Sequence, residues 1–66
     1  MRIVVNGQER ELPAATSLAD LIATLGLPAD GIAAAVDGTV IPRPEHASTP
    51  LRTGSRVEII RAVGGG

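Results

Sequence analysis

The chain opens on an apolar, β-branched run at residues 2–5, followed at once by Asn6-Gly7. That dipeptide suits a two-residue hairpin loop, because the favoured turn needs positive φ at both central positions. Residues 8–12 read as a returning, more polar strand, and Pro13 ends it, since proline has no N–H for a ladder. From Ser17 the period changes. Leu18, Leu21, Ile22 and Leu25 recur at i, i+3, i+4 and i+7, the apolar stripe of a helix. Ser17 and Asp20 have the spacing of a capping box, with Asp in place of the preferred Glu. Gly26 is set to be a left-handed C-cap, Leu27 to pack back on the last turn, and Pro28 to block continuation. A helix of about ten residues is predicted.

Residues 32–36 are small and apolar, Asp37-Gly38 is a second hairpin signal, and residues 39–41 read as the strand that returns. Pro42, Pro44 and Pro50 make 42–50 a loop or one short turn. Thr53-Gly54-Ser55 is a third turn, residues 56–62 form a last strand, and the sequence ends Val63-Gly64-Gly65-Gly66. The predicted order is β-β-α-β-β-β. One amphipathic helix needs a sheet to cover its stripe, which gives an α+β domain. A hairpin, a helix and a closing C-terminal strand follow the order of the ubiquitin-like β-grasp, with one main helix packed on a mixed sheet. Residues 1–62 are expected to form that domain and 63–66 a flexible, Gly-rich tail.

Strand parity divides the apolar residues between two faces. If Met1, Ile3 and Val5 face the helix, Val4 faces out. If Val57 and Ile59 face in, Ile60 faces out beside Glu58, and Ala35 faces out between Ala34 and Val36. Val4, Ala35 and Ile60 would then form a small outward apolar patch near the tail, a candidate for docking a partner.

Composition narrows the functions. Sixty-six residues make one small domain, which buries only about 60% of its unfolded surface. There is no cysteine, so neither a disulfide nor a thiolate metal site supplements the core, and any sulfur handled by the chain cannot sit on a side chain. All six basic residues are Arg; with seven acidic residues the net charge is −1. That balance and the absence of aromatic residues argue against a nucleic-acid partner. No signal peptide and no apolar run near 20 residues is visible, so a cytoplasmic chain without a membrane partner is expected. His46 is a lone imidazole in a Pro-rich loop and reads as a surface or half-packed histidine. Glu45 and Asp20 read as loop and cap residues. No nucleophile–base pair or metal-spaced cluster stands out, so the chain does not read as an enzyme.

Several segments in order resemble a known family. Ala35-Val36-Asp37-Gly38, Val40-Ile41-Pro42-Arg43-x-Glu45, Leu51-x-x-Gly54, Val57-Glu58-Ile59 and the ending Ala62-Val63-x-Gly65-Gly66 are similar to the sulfur carriers of thiazole biosynthesis, the ThiS family. The likeness covers the whole chain. Two positions depart from the family pattern: His46 stands where Trp is usual, and Ser55 where Asp usually follows the glycine of the last turn.

The resemblance implies a carrier acted on by other enzymes. An E1-like adenylyltransferase of the ThiF type would spend ATP to adenylate the Gly66 carboxylate. A sulfur donor protein bearing a persulfide would supply the sulfur, leaving a thiocarboxylate at Gly66. A thiazole synthase of the ThiG type would take it up. The carrier itself would bind no cofactor. Gly64, Gly65 and Gly66 suit this use, since glycine has no side chain to clash in a narrow active site. By themselves three glycines at an end read as a frayed terminus; following a core strand in this family pattern, they read as a working tail. Arg43, in the Pro-Arg segment, is either solvated or a contact for a partner. Two alternatives are a molybdopterin-type sulfur carrier and a β-grasp adaptor or regulatory module with an inert tail; a protein-conjugating ubiquitin-like modifier is a third.

Overall fold

The computed structural model describes residues 1–28 and 30–61. Its elements are β1 (Arg2–Val5), β2 (Gln8–Glu11), α1 (Leu18–Thr24), β3 (Ile32–Val36), β4 (Thr39–Ile41), a 3-10 turn at Arg43–Glu45, and β5 (Arg56–Arg61). The five strands form one mixed sheet in the order β2-β1-β5-β3-β4. β1 lies parallel to β5, with Val4 opposite Arg56 and Val5 opposite Val57. The other neighbours are antiparallel. This is the α+β, ubiquitin-like β-grasp arrangement, with one helix on a mixed sheet.

Both hairpins turn as their dipeptides require. Asn6 and Gly7 have φ of 49° and 81°, and Asp37 and Gly38 have 51° and 85°. Two successive positive φ values match the right-handed twist of the flanking strands.

Asn6 does more than turn the chain. Its side-chain Oδ1 accepts from the Ile59 N–H at 2.9 Å, and its Nδ2 donates to the Ile59 carbonyl at 3.3 Å. The amide thus continues the β1–β5 ladder by one step after the backbone of β1 has bent away. Asn6→Gly keeps a residue that accepts positive φ but removes both bonds. It is expected to lower unfolding free energy by about 1–3 kcal/mol. Chemical denaturation with an unchanged midpoint would show that water replaces the amide at no cost.

The helix begins as its sequence demands. Ser17 Oγ accepts from the Asp20 N–H at 3.1 Å, and an Asp20 carboxylate oxygen accepts from the Ser17 N–H at 3.3 Å. The N–H groups of Leu18 and Ala19, which a helix leaves without internal partners, donate to the carbonyls of Thr49 and His46 at 2.9 and 3.1 Å. The 42–50 loop is therefore clamped to the start of α1, and the Leu51 N–H adds a bond to the Thr16 carbonyl at 3.0 Å. At the other end Gly26, with φ of 73°, donates to Ala23, and Leu27 donates to Ile22, a Schellman closure. That closure comes early. The helix has seven residues rather than about ten, because Leu25 is already the cap.

The core comprises Ile3, Val5, Leu12, Leu18, Leu21, Ile22, Ala34, Leu51, Val57 and Ile59, with Met1, Leu25, Leu27, Ile32, Val36 and Ile41 packed against it. The inward parity of β1, β3 and β5 is as expected. One strand boundary is corrected. β2 stops at Glu11, and Leu12 leaves the strand to enter the core. β5 is described to Arg61, and Ala62 lies outside the described residues.

His46 is also corrected: it is buried, only 6% exposed, not a surface or half-packed residue. Its Nε2 lies 2.9 Å from the Ile41 carbonyl. A cavity of about 150 Å³ beside it is lined by Ala19, Ile22, Arg43 and Ala47. The imidazole forms one wall of that space. Ser55 manages its own substitution well. It is buried, and its Oγ accepts from the Arg52 N–H at 2.9 Å, closing the last turn.

Candidate functional site

The candidate surface is the face of the sheet opposite α1. On β5 the outward residues are Arg56, Glu58 and Ile60, alternating with the buried Val57 and Ile59. Ile60 lies across from Ala33, and Glu58 across from Ala35. Ala35 in turn lies across from Val40 of β4. Ala33, Ala35, Val40, Glu58 and Ile60 line one shallow groove. Among the described residues, Val40 and Ile60 are the two large apolar side chains most open to solvent, at 70% and 64%.

Of the residues expected to form the outward patch, Ala35 and Ile60 meet in this groove. Val4 shares the face but not the groove. It pairs with Arg56, four residues before Ile60 on β5, a separation of about 13 Å along the strand. Val4 instead lines a second, more polar groove with Gly7, Glu9, Arg56 and Glu58. The face is thus split into an apolar end at β3–β4 and a charged end at β1–β2. At the charged end Arg2 pairs with Glu9 at 3.5 Å and with Glu11 at 3.6 Å.

Val40 was not among the expected patch residues. Counting across the Asp37-Gly38 hairpin finds it, because Ala35 and Val40 are then directly opposite and share a face.

Arg43 stands apart from the sheet's outer face. It lines the cavity beside His46 and Ile22, on the helix side, and forms an ion pair with Asp30. Both groups are exposed, so the pair adds little stability. Gly64, Gly65 and Gly66 lie outside the described residues. β5 is described as far as Arg61, next to Ile60, so the apolar groove adjoins the last described residue.

The described residues hold no group of three His, Cys, Asp or Glu suited to a metal ion. No helix among them is long and apolar enough to cross a membrane. The outer face offers apolar contact at one end and charge at the other.

The chain is similar, at 29% identity over 66 residues, to a thiazole synthase of Paramagnetospirillum magneticum. The match takes in the whole of this chain but only 20% of that protein, so the chain spans about a fifth of its relative's length. Among solved structures, it is similar to the crystal structure of the thiamine biosynthesis protein ThiS from Geobacter metallireducens. The TM-score is 0.83 at 26% identity, and both chains are covered completely. The solution structure of a thiamine biosynthesis protein from the same organism gives a TM-score of 0.81 at 26% identity, covering 100% of this chain and 88% of that one. A family model described as the ThiS family matches residues 3–66, and with that near-complete match the chain belongs to the ThiS family.

Proposed function

We propose that the chain is a sulfur carrier for thiazole formation in thiamine biosynthesis, with the Gly66 carboxylate as the group that is activated and loaded. The observation that carries this reading is the family match, which runs through the terminal glycines of a chain without cysteine. The carrier is a co-substrate of its partner enzymes.

The chemistry follows from the carboxylate. It is a poor electrophile, because expelling an oxide from its acyl carbon is unfavourable. In the first step a Gly66 carboxylate oxygen attacks the α-phosphorus of ATP on the adenylyltransferase, and pyrophosphate leaves. The acyl carbon now carries AMP, a good leaving group. The terminal sulfur of a donor's persulfide attacks that carbon, and AMP departs, giving an acyl disulfide to the donor's cysteine. A second thiol attacks the cysteine sulfur of that disulfide. The thiocarboxylate is released, and the two thiols are left oxidised as a disulfide. A thiazole synthase is the proposed consumer. What supports that choice is the relative of that name, a fifth of which is similar to this chain.

The direct test is intact mass of the chain from its own host, followed by fragmentation. An oxygen-for-sulfur exchange confined to Gly66 is expected. A chain that stays fully oxygenated when incubated with adenylyltransferase, ATP and persulfide donor would overturn the reading.

The exposed groove supplies a second test. Ile60 is outward and largely open, so Ile60→Asp should leave the melting curve unchanged. A charge at the centre of an apolar contact is poorly tolerated. Association with the adenylyltransferase, read by calorimetric titration, should weaken by roughly tenfold or more. Equal affinity for Ile60→Asp and the parent would remove this groove from the docking surface.

A further inference from the structure

Glu58 is the one acidic side chain set within the apolar groove. Ala35 lies directly across from it, with Val40 beyond, and Ile60 lies two residues along the same strand on the same face. The other carboxylates of this face are paired. Glu9 and Glu11 meet Arg2, and Glu11 also meets the N-terminal ammonium at 3.2 Å. Among the described residues Glu58 has neither an ion pair nor a side-chain hydrogen bond. Arg56 lies two residues away on the same face, yet the two do not come within salt-bridge distance.

A partner that covers Ile60, Val40 and Ala35 covers Glu58 as well, because the residues share one groove. A carboxylate taken out of water without a cation costs more than so small an apolar area returns. The chain spends no arginine of its own on this carboxylate, although Arg2 neutralises its neighbours. Resting on the carrier reading, we propose that Glu58 is the specificity-determining charge of the docking face. Its occupant is the adenylyltransferase, which meets it with an arginine or lysine set among apolar side chains. The same residue selects against a second copy of the chain. In a two-fold, face-to-face pairing centred on this groove, Glu58 would meet Glu58 with no cation between them.

The test is calorimetric titration of the purified chain with the adenylyltransferase of its own host, at low and high salt, with ATP–pyrophosphate exchange measured in parallel. Glu58→Lys should weaken association by roughly a hundredfold, since it leaves two like charges under the contact. Glu58→Gln, which keeps the shape and is the safer variant for folding, should weaken it by about tenfold. The glutamine variant should also lose most of the parent's salt dependence. Glu9→Gln, at a carboxylate already paired within the chain, should bind like the parent. If Glu58→Lys and Glu58→Gln bind as the parent does, while the parent binds and supports exchange, the proposal falls and the carrier reading stands. If the parent itself neither binds nor supports exchange, the carrier reading falls and takes this partner with it. Sedimentation of Glu58→Ala separates a last case. Self-association with undiminished enzyme binding would mean that Glu58 only keeps copies of the chain apart, which overturns the proposal.

Discussion

Removing Gly66 is expected to leave thermal unfolding unchanged and to abolish ATP–pyrophosphate exchange with the adenylyltransferase. Stability should not move, because every buried core residue among the described ones lies at or before Ile59. Reactivity should vanish for a geometric reason. One extended residue spans about 3.3–3.6 Å, so deletion draws the carboxylate back by that length. Reacting atoms must sit about 3–3.5 Å apart, and a displacement of about 1 Å already costs on the order of a hundredfold in rate. Adding a residue after Gly66 should be equally damaging, because it turns the glycine carboxylate into an amide. Gly65→Val should be adenylated slowly, since a β-branched side chain both widens and stiffens the segment. The measurements are a melting curve and an exchange assay for each variant. Undiminished exchange by the chain lacking Gly66 would sink the carrier reading and leave an adaptor with an inert tail as the better account.

Leu21→Ala should lower unfolding free energy by about 2–5 kcal/mol. Leu21 is fully buried, and with Leu18 and Ile22 it supplies the buried face of α1. A helix of seven residues is too short to hold its shape alone, since isolated helices under about 12 residues are marginal in water. Its order therefore depends on that face. Truncation removes transfer energy and leaves a void that a close-packed aliphatic core cannot fully close. A domain of this length has roughly 3–10 kcal/mol in total, so the loss is comparable with the whole. Urea denaturation should show a lower midpoint with a similar slope. An unchanged midpoint would remove Leu21 from the core.

Features set by neighbouring residues were legible in the sequence. Asn6-Gly7 and Asp37-Gly38 announce their turns because the backbone angles they need are local. The helix stripe and its capping box are local as well. Strand parity placed Ile60 and Ala35 correctly on the outer face, because alternation is fixed along a single strand. What escaped depends on partners far along the chain. Asn6 reads as a turn residue until β5 is known to lie beside it and to present Ile59 to its amide. Val4 and Ile60 look like neighbours until the register of β1 on β5 puts Val4 opposite Arg56, four residues before Ile60. His46 reads as a surface or half-packed residue until the 42–50 loop is seen clamped over α1. Gly64, Gly65 and Gly66 lie outside the described residues, and their proposed use follows from the chemistry of a terminal carboxylate.

The last described strand in sequence is the middle strand of the sheet. β5 alone joins the β1–β2 hairpin to the β3–β4 hairpin, since the order runs β2-β1-β5-β3-β4. During synthesis both hairpins and the helix leave the ribosome before the strand that unites them. The pairing of Val5 with Val57 closes a loop of about 50 residues, a non-local contact of the kind that slows folding. Until β5 docks, Ile3, Val5 and Ala34 have no common floor and the core has no Val57 or Ile59. The glycines beyond β5 are therefore attached to the element that completes the domain. On the carrier reading proposed above, an adenylyltransferase that grips the β5 face before reaching the terminus would spend ATP on folded chains and pass over unfolded ones.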